Sequence, residues 1–199
     1  MVYQMNDNLF ISENNLHTGT SGTKRKNKPE QLKHELIMAA KHLMVSDGVA
    51  NLSMQKVADT AGTSKGGLFH HFKNKEELLN AVVGLYIAQL NTAILSIADE
   101  LGAVQGRFTK AYLQVIFQDS KIGMNSNWSG LLTAIHADAN MFEVWQNWMA
   151  QKQKQFAATD SHPQYQVVRY AIEGAQLDTK LKSNQAKQHE IYETLASLI

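Results

Sequence analysis

The chain has 199 residues and a formal net charge of +1, enough length for one or two domains with a substantial core. It has no Cys, which excludes a disulfide framework and a thiolate metal site, and only two Pro, Pro29 and Pro163, so long stretches are free to be helical. Val, Ile and Thr do not alternate, no uninterrupted apolar run approaches the ~18–20 residues of a membrane span, and residues 1–23 lack the basic start and apolar stretch of a signal peptide, so an all-α cytoplasmic protein without a membrane partner is expected.

The small net charge conceals a split. Residues 24–75 carry ten Lys or Arg against four Asp or Glu, residues 76–199 carry nine against twelve, and residues 1–23 add two acids. A basic block on a neutral-to-acidic body points to a polyanionic partner at one end of the molecule.

In chain order, residues 1–28 read as a polar, flexible tail that ends in the basic arm Lys24, Arg25, Lys26 and Lys28. A first helix is predicted from Pro29, with Leu32, Leu36, Ala39 and Leu43 on one face and Asp47-Gly48 at its end. Ser53 caps a second helix over 54–60, and Thr63 or Ser64 caps a third running to about His71. Asn74 caps a fourth, with Glu77 three residues on; its apolar positions continue to about Leu101, where Gly102 and Gly106 break it. Further helices are predicted at about 107–121, 127–137, 140–158, 163–181 and 185–199.

The segment Leu52 to Phe72 carries the functional signal. Ala58, Gly62 and Leu68 follow the small-x3-Gly-x5-apolar spacing that lets two short helices cross tightly, as in a helix-turn-helix. The second of the pair, with Ser64, Lys65, Gly66 and Gly67, is short, glycine-rich and nearly free of acid, and its N-terminal amides suit phosphate. Each glycine costs about 1 kcal/mol of helix stability relative to Ala, a cost that close approach of the backbone to a ligand rationalises. Ser53, Thr63, Ser64, Lys65, Lys73 and Lys75 are candidate donors to phosphates, and His70 and His71 reach phosphates or base edges. His70 and His71 point about 100° apart on a helix and have no third ligand spaced nearby, so no metal site is expected. Phe69 and Phe72 read as core residues that pack this helix against the first and fourth.

Over Lys28 to about Leu90 the chain resembles the DNA-binding domain of the TetR/AcrR family. The resemblance rests on Leu36 to Leu43, Asp47-Gly48, Leu52 to Asp59, Ala61 to Gly67 and Leu68 to Leu78. That family usually has Tyr where this chain has Phe69, and often Tyr at His70, so a hydroxyl available for a phosphate is lost. The resemblance implies a helix-turn-helix head over 29–75 and a helical ligand-sensing and dimerisation body over 76–199. It implies a homodimer on a palindromic operator, with two recognition helices in successive major grooves, released by a small, partly apolar ligand. Two other readings stay open: a DNA-binding activator or nucleoid-type protein without a ligand, and a ligand-binding dimer that has lost operator recognition.

Within the body, Met124, Trp128, His136, Asn140, Phe142 and Trp145 are candidate pocket residues, the bulky apolar groups as walls and His136 or Asn140 as polar anchors. Ala171, Gly174 and Ala175 are small enough for close helix approach. With Ile191 and Leu195 they are candidate dimer-interface residues, because the resemblance implies that the last two helices of each subunit form a four-helix interface. Neither H-E-x-x-H nor G-x-G-x-x-G occurs, and the scattered acids form no recognisable constellation, so neither catalysis nor a cofactor is expected.

Overall fold

The computed structural model describes residues 29–199, and the tail expected over 1–28, with its basic arm, lies outside them. The described residues form eleven α-helices and no strand. Helix α1 (Pro29–Ser46) begins at the proline, whose missing N–H is harmless in a first turn, and buries Leu36, Ile37, Ala40, Leu43 and Met44. After a 3-10 turn at Val49–Asn51 come α2 (Met54–Thr60), α3 (Lys65–Phe69) and α4 (Lys75–Leu101). Ser53, Ser64 and Asn74 cap α2, α3 and α4, accepting from the N–H of Lys56, Gly67 and Glu77. Glu77 reaches back to accept from the Lys73 N–H at 2.7 Å, one residue before the cap, which fixes the chain's entry into α4.

The body comprises α5 (Arg107–Gln118), α6 (Leu131–His136), α7 (Ala139–Gln155), α8 (Ala157–Asp160), α9 (Pro163–Leu177), α10 (Thr179–Lys182) and α11 (Gln185–Ser197). The helices expected over 107–121, 127–137, 140–158 and 163–181 are shorter than predicted, each for a local reason. Over 119–130 the side chains of Asp119 and Ser126 bond to nearby backbone, and Gly130 takes φ 92°, so α6 starts only at Leu131. The helix expected over 140–158 breaks at Phe156, whose ring is buried 5.2 Å from that of Phe108. That expected over 163–181 breaks at Asp178, whose carboxylate caps α10.

One hydrophobic core runs from α1 to α11. Helix α4 is its axis, packed on α1 near its start and on α5 and α7 along its length. Contrary to expectation, α4 is long and apolar enough by composition to cross a membrane, yet Leu78, Leu79, Val82, Val83, Leu90 and Ile94 are buried within this core. A second connection joins the two ends of the molecule where α1 packs on α6.

Candidate nucleic-acid interface and buried aromatic core

Helices α2 and α3 cross at Ala58, which is fully buried beside Val57 and Leu68. Gly62 makes the turn at φ 68°, a conformation L side chains rarely adopt, and the Thr63 N–H then donates to the Ala58 carbonyl. Leu68 points inward from α3 and Phe72 from the turn after it, while Ser64, Lys65, Gly66, Phe69 and His70 are exposed. Phe69 therefore departs from the expected core role: it is 42% exposed, against 2% for Phe72. Helical spacing alone would put residues three apart on one face, but α3 ends at Phe69 and Phe72 lies in the turn beyond it.

The candidate DNA contacts fall into two groups. Ser53, Ser64, Lys65, Gly66, His70 and Lys73 are exposed around α2 and α3, with Thr63, Gly67 and His71 partly covered beside them. A Cβ on Gly67 would lie 2.6 Å from Thr63 Oγ1, so a side chain there would force the Thr63 hydroxyl aside. Lys75 stands apart, because its ammonium donates to the Val49 carbonyl at 2.6 Å and ties α4 to the turn after α1.

The candidate pocket residues also divide. Met124, Trp128 and Trp145 are buried around Tyr86, whose ring centre is 5.4 Å from that of Trp128 and 6.0 Å from that of Trp145. Trp148 continues the cluster 5.0 Å from Trp145. His136 and Phe142 pack on each other at 4.6 Å on the outer side of α6 and α7, away from this cluster. Asn140 lines a separate cleft of about 210 Å³ between the starts of α4 and α7, with Lys75, Asn80 and Asp138.

A polar stripe on α9 runs along the same core and was not expected. Arg169, Glu173 and Gln176 recur at helical spacing and face inward or are half-buried. Gln176 accepts from the Tyr86 hydroxyl at 3.4 Å and donates to that of Tyr112 at 3.2 Å. Burial pushes both phenols up from their ordinary values. Burial likewise raises the Glu173 carboxyl, with the Trp145 indole and the Arg169 guanidinium opposing. The Trp148 indole N–H is buried without an acceptor, whereas that of Trp145 lies toward the Glu173 carboxylate outside ideal hydrogen-bonding geometry. Beside Tyr86, Met124, Trp128 and Gln176 lies a cavity of about 10 Å³, room for one water.

The candidate interface residues on α9 and α11 do not share one surface. Ala175 and Leu195 are buried within the subunit, Ala171 and Ile191 are half-buried, and Gly174 is exposed. The exposed apolar side chains are instead Val167, Tyr170 and Leu177 on α9 and Leu198 after α11.

The family model for bacterial regulatory proteins of the tetR family matches residues 36–82, and that for the tetracyclin repressor-like C-terminal domain matches residues 106–199. The HTH-type transcriptional repressor KstR2 of Mycolicibacterium smegmatis is 32% identical over 56 residues, 28% of this chain and 27% of that protein. The HTH-type transcriptional regulator TtgR of Pseudomonas putida is 31% identical over 58 residues, 29% of this chain and 28% of that protein. The matched stretch thus spans little more than a quarter of these relatives. The solved structure of the multidrug binding protein EbrR complexed with malachite green is similar with a TM-score of 0.65 and 19% identity, over 84% of this chain and 97% of that one. Salmonella enterica GusR is similar with a TM-score of 0.63 and 15% identity, over 88% and 98%. At these identities the likeness is one of fold.

Proposed function

This chain belongs to the TetR family of DNA-binding transcriptional regulators, and on that premise we propose that it is a cytoplasmic repressor, a homodimer that holds a palindromic operator and releases it when a small molecule enters the helical body. The observation that carries this reading is the outer side of α3 and its caps, where Ser64, Lys65, Gly66 and His70 are exposed while Leu68, and Phe72 in the turn that follows, are buried. Such a face is free to enter a major groove while its back is held by the core.

In this reading the head spans 29–75 and the body 76–199. Ser53, Thr63, Ser64, Lys65, Gly67 and Lys73 hold phosphates, with His70 and His71 at phosphates or base edges. Two heads address half-sites about 34–36 Å apart, or a multiple of that. The exposed Val167, Tyr170 and Leu177 favour α9 as part of the subunit interface. The ligand is partly apolar and carries an acceptor for the orphan indole N–H of Trp148. The EbrR complex with malachite green supports a body of this fold that accepts organic molecules. The matched families are regulators, which favours a protein without catalysis.

Fluorescence anisotropy of the full chain on duplexes from upstream of its own coding region tests the reading. One duplex is expected to bind as a dimer, with log K falling linearly against log salt. Indifference to every duplex at low ionic strength would end it. A reporter fusion separates repression from activation, and a ligand at ~100 times Kd adds roughly 2.7 kcal/mol in a thermal-shift screen.

A further inference from the structure

Two residues on the outer face of α3 are not explained by the fold. Phe69 leaves 42% of its surface in water, one turn after Lys65, whose ammonium lies 5.8 Å from the ring centre. Exposing a phenyl ring is unfavourable in water and adds little to the core behind it. Gly66 is the second. A Cβ there would meet only Ser64 Oγ at 3.8 Å, an ordinary contact, and its backbone is helical. Alanine would fit and would favour the helix. Gly67 next to it differs, since Thr63 crowds its Cβ position. Nothing within the chain therefore requires Gly66 to be bare.

A duplex offers a helix in its major groove the edges of bases, not their faces. Those edges are hydrogen-bond donors and acceptors, apart from the C5-methyl group of thymine. A phenyl ring has no group to satisfy a donor or acceptor, and it gains by covering a methyl. We propose that Phe69 is a specificity-determining residue that seats the C5-methyl of a thymine in each half-site, with Gly66 bare so that the α3 backbone lies against the same base edges. This inference rests on the reading of α3 as the groove-entering helix.

The full chain is used to select duplexes from a random-sequence pool. Each thymine of the recovered site is then replaced singly by deoxyuridine, which deletes only the methyl. At one thymine per half-site this replacement weakens the unaltered protein about fourfold, the worth of one methyl-sized group, and replacement in both half-sites multiplies to about sixteenfold. Phe69→Ala binds the thymine and uracil duplexes alike, and Phe69→Gln, which keeps an extended side chain but ends it in a polar amide, loses the methyl response as well. Gly66→Ala melts no lower than the unaltered protein yet binds every recovered duplex more weakly. The inference is overturned if no thymine is methyl-sensitive, or if the sensitivity persists in both Phe69 variants. Failure to recover any duplex would instead remove the regulator reading, and this inference with it.

Discussion

The ammonium of Lys41 on α1 lies 5.0 Å from the centre of the Trp128 ring and donates to the Asn127 carbonyl at 2.9 Å. Lys41 is only 7% exposed, and it enters no ion pair among the described residues. A buried cation held by a π face and one carbonyl is poorly compensated. It fastens the helix that braces the candidate DNA-reading helices to the aromatic cluster of the body. Trp128 in turn packs on Tyr86 of α4, so a displacement of that indole bears on α1 directly and on α4 through Tyr86.

Lys41→Met is expected to change the pH dependence of stability. Burial lowers the Lys41 pKa from its ordinary 10.5 in the folded chain only, so the unfolded chain binds this proton more tightly. Stability is gained as pH rises through the lowered value toward 10.5, and the cost of the charge is fully present below that window. Lys41→Met lacks this contribution, while the raised phenols of Tyr86 and Tyr112 are common to both proteins. The melting temperature of the variant minus that of the unaltered protein is expected to be largest near neutral pH and to shrink toward pH 10. A constant or widening difference would show that the buried ammonium is fully compensated.

Asp160 holds the start of α5 in place from nearly full burial. Its carboxylate accepts from the N–H groups of Phe108 and Thr109 and from the hydroxyls of Thr109 and Thr159, with Arg169 Nη1 at 3.8 Å. Asp160→Ala leaves the two backbone donors without a partner and the guanidinium with only the Thr109 hydroxyl and no counter-charge in contact, which costs about 3–5 kcal/mol. Adding Arg169→Met to Asp160→Ala is expected to recover part of the loss, because the uncompensated charge is gone. Urea unfolding of the single and double variants measures both numbers. Additive losses would mean that the two residues are not coupled.

The helical order and the helix-turn-helix were legible because their signals are local. Caps such as Ser53, Ser64 and Asn74, the breaks at Gly62 and Gly102, and apolar spacing act within a few residues. What was hidden depends on partners distant in sequence. Arg169 reads as a surface residue until Thr109, sixty positions earlier, is found 2.8 Å from it. Glu173 and Gln176 are equally opaque, since binary patterning turns polar residues outward and the small Ala171 and Gly174 inward. In α9 the assignment is reversed: Gln176 is buried among tyrosines while Gly174 and Tyr170 face water. Phe69 misled for the same reason, because hydrophobicity alone cannot distinguish a core ring from one kept outside.

Lys65 and Lys75 carry the same charge in the same basic block, yet they are expected to behave differently. Lys65 is exposed on α3, so Lys65→Ala weakens binding to all duplexes and lowers the salt slope by about 0.9 for each phosphate that is no longer neutralised. Lys75 already donates to the Val49 carbonyl. Lys75→Ala is expected to destabilise the head by roughly 0.5–3 kcal/mol and to leave the salt slope closer to that of the unaltered protein. Anisotropy titrations at several salt concentrations, paired with melting curves, separate the two. Equal slope changes would return Lys75 to the phosphate-binding set.

The subunit interface is best tested by a point change, because deleting 163–199 would strip Arg169, Ile172 and Gln176 from the core and unfold the body. Tyr170 is 61% exposed on α9 beside the equally exposed Val167, and Gly174 one turn on leaves room for a second backbone to approach. If this face meets its copy across a two-fold axis, Tyr170→Glu places two carboxylates in a desolvated contact. Sedimentation is expected to show a monomer with unchanged helix content, because Tyr170 contributes little to its own subunit's core. Operator affinity then falls steeply, since a single head holds only one half-site and loses the effective concentration that the linked second head provides. A Tyr170→Glu chain that stays dimeric and binds the palindrome as before would move the interface off this face of α9.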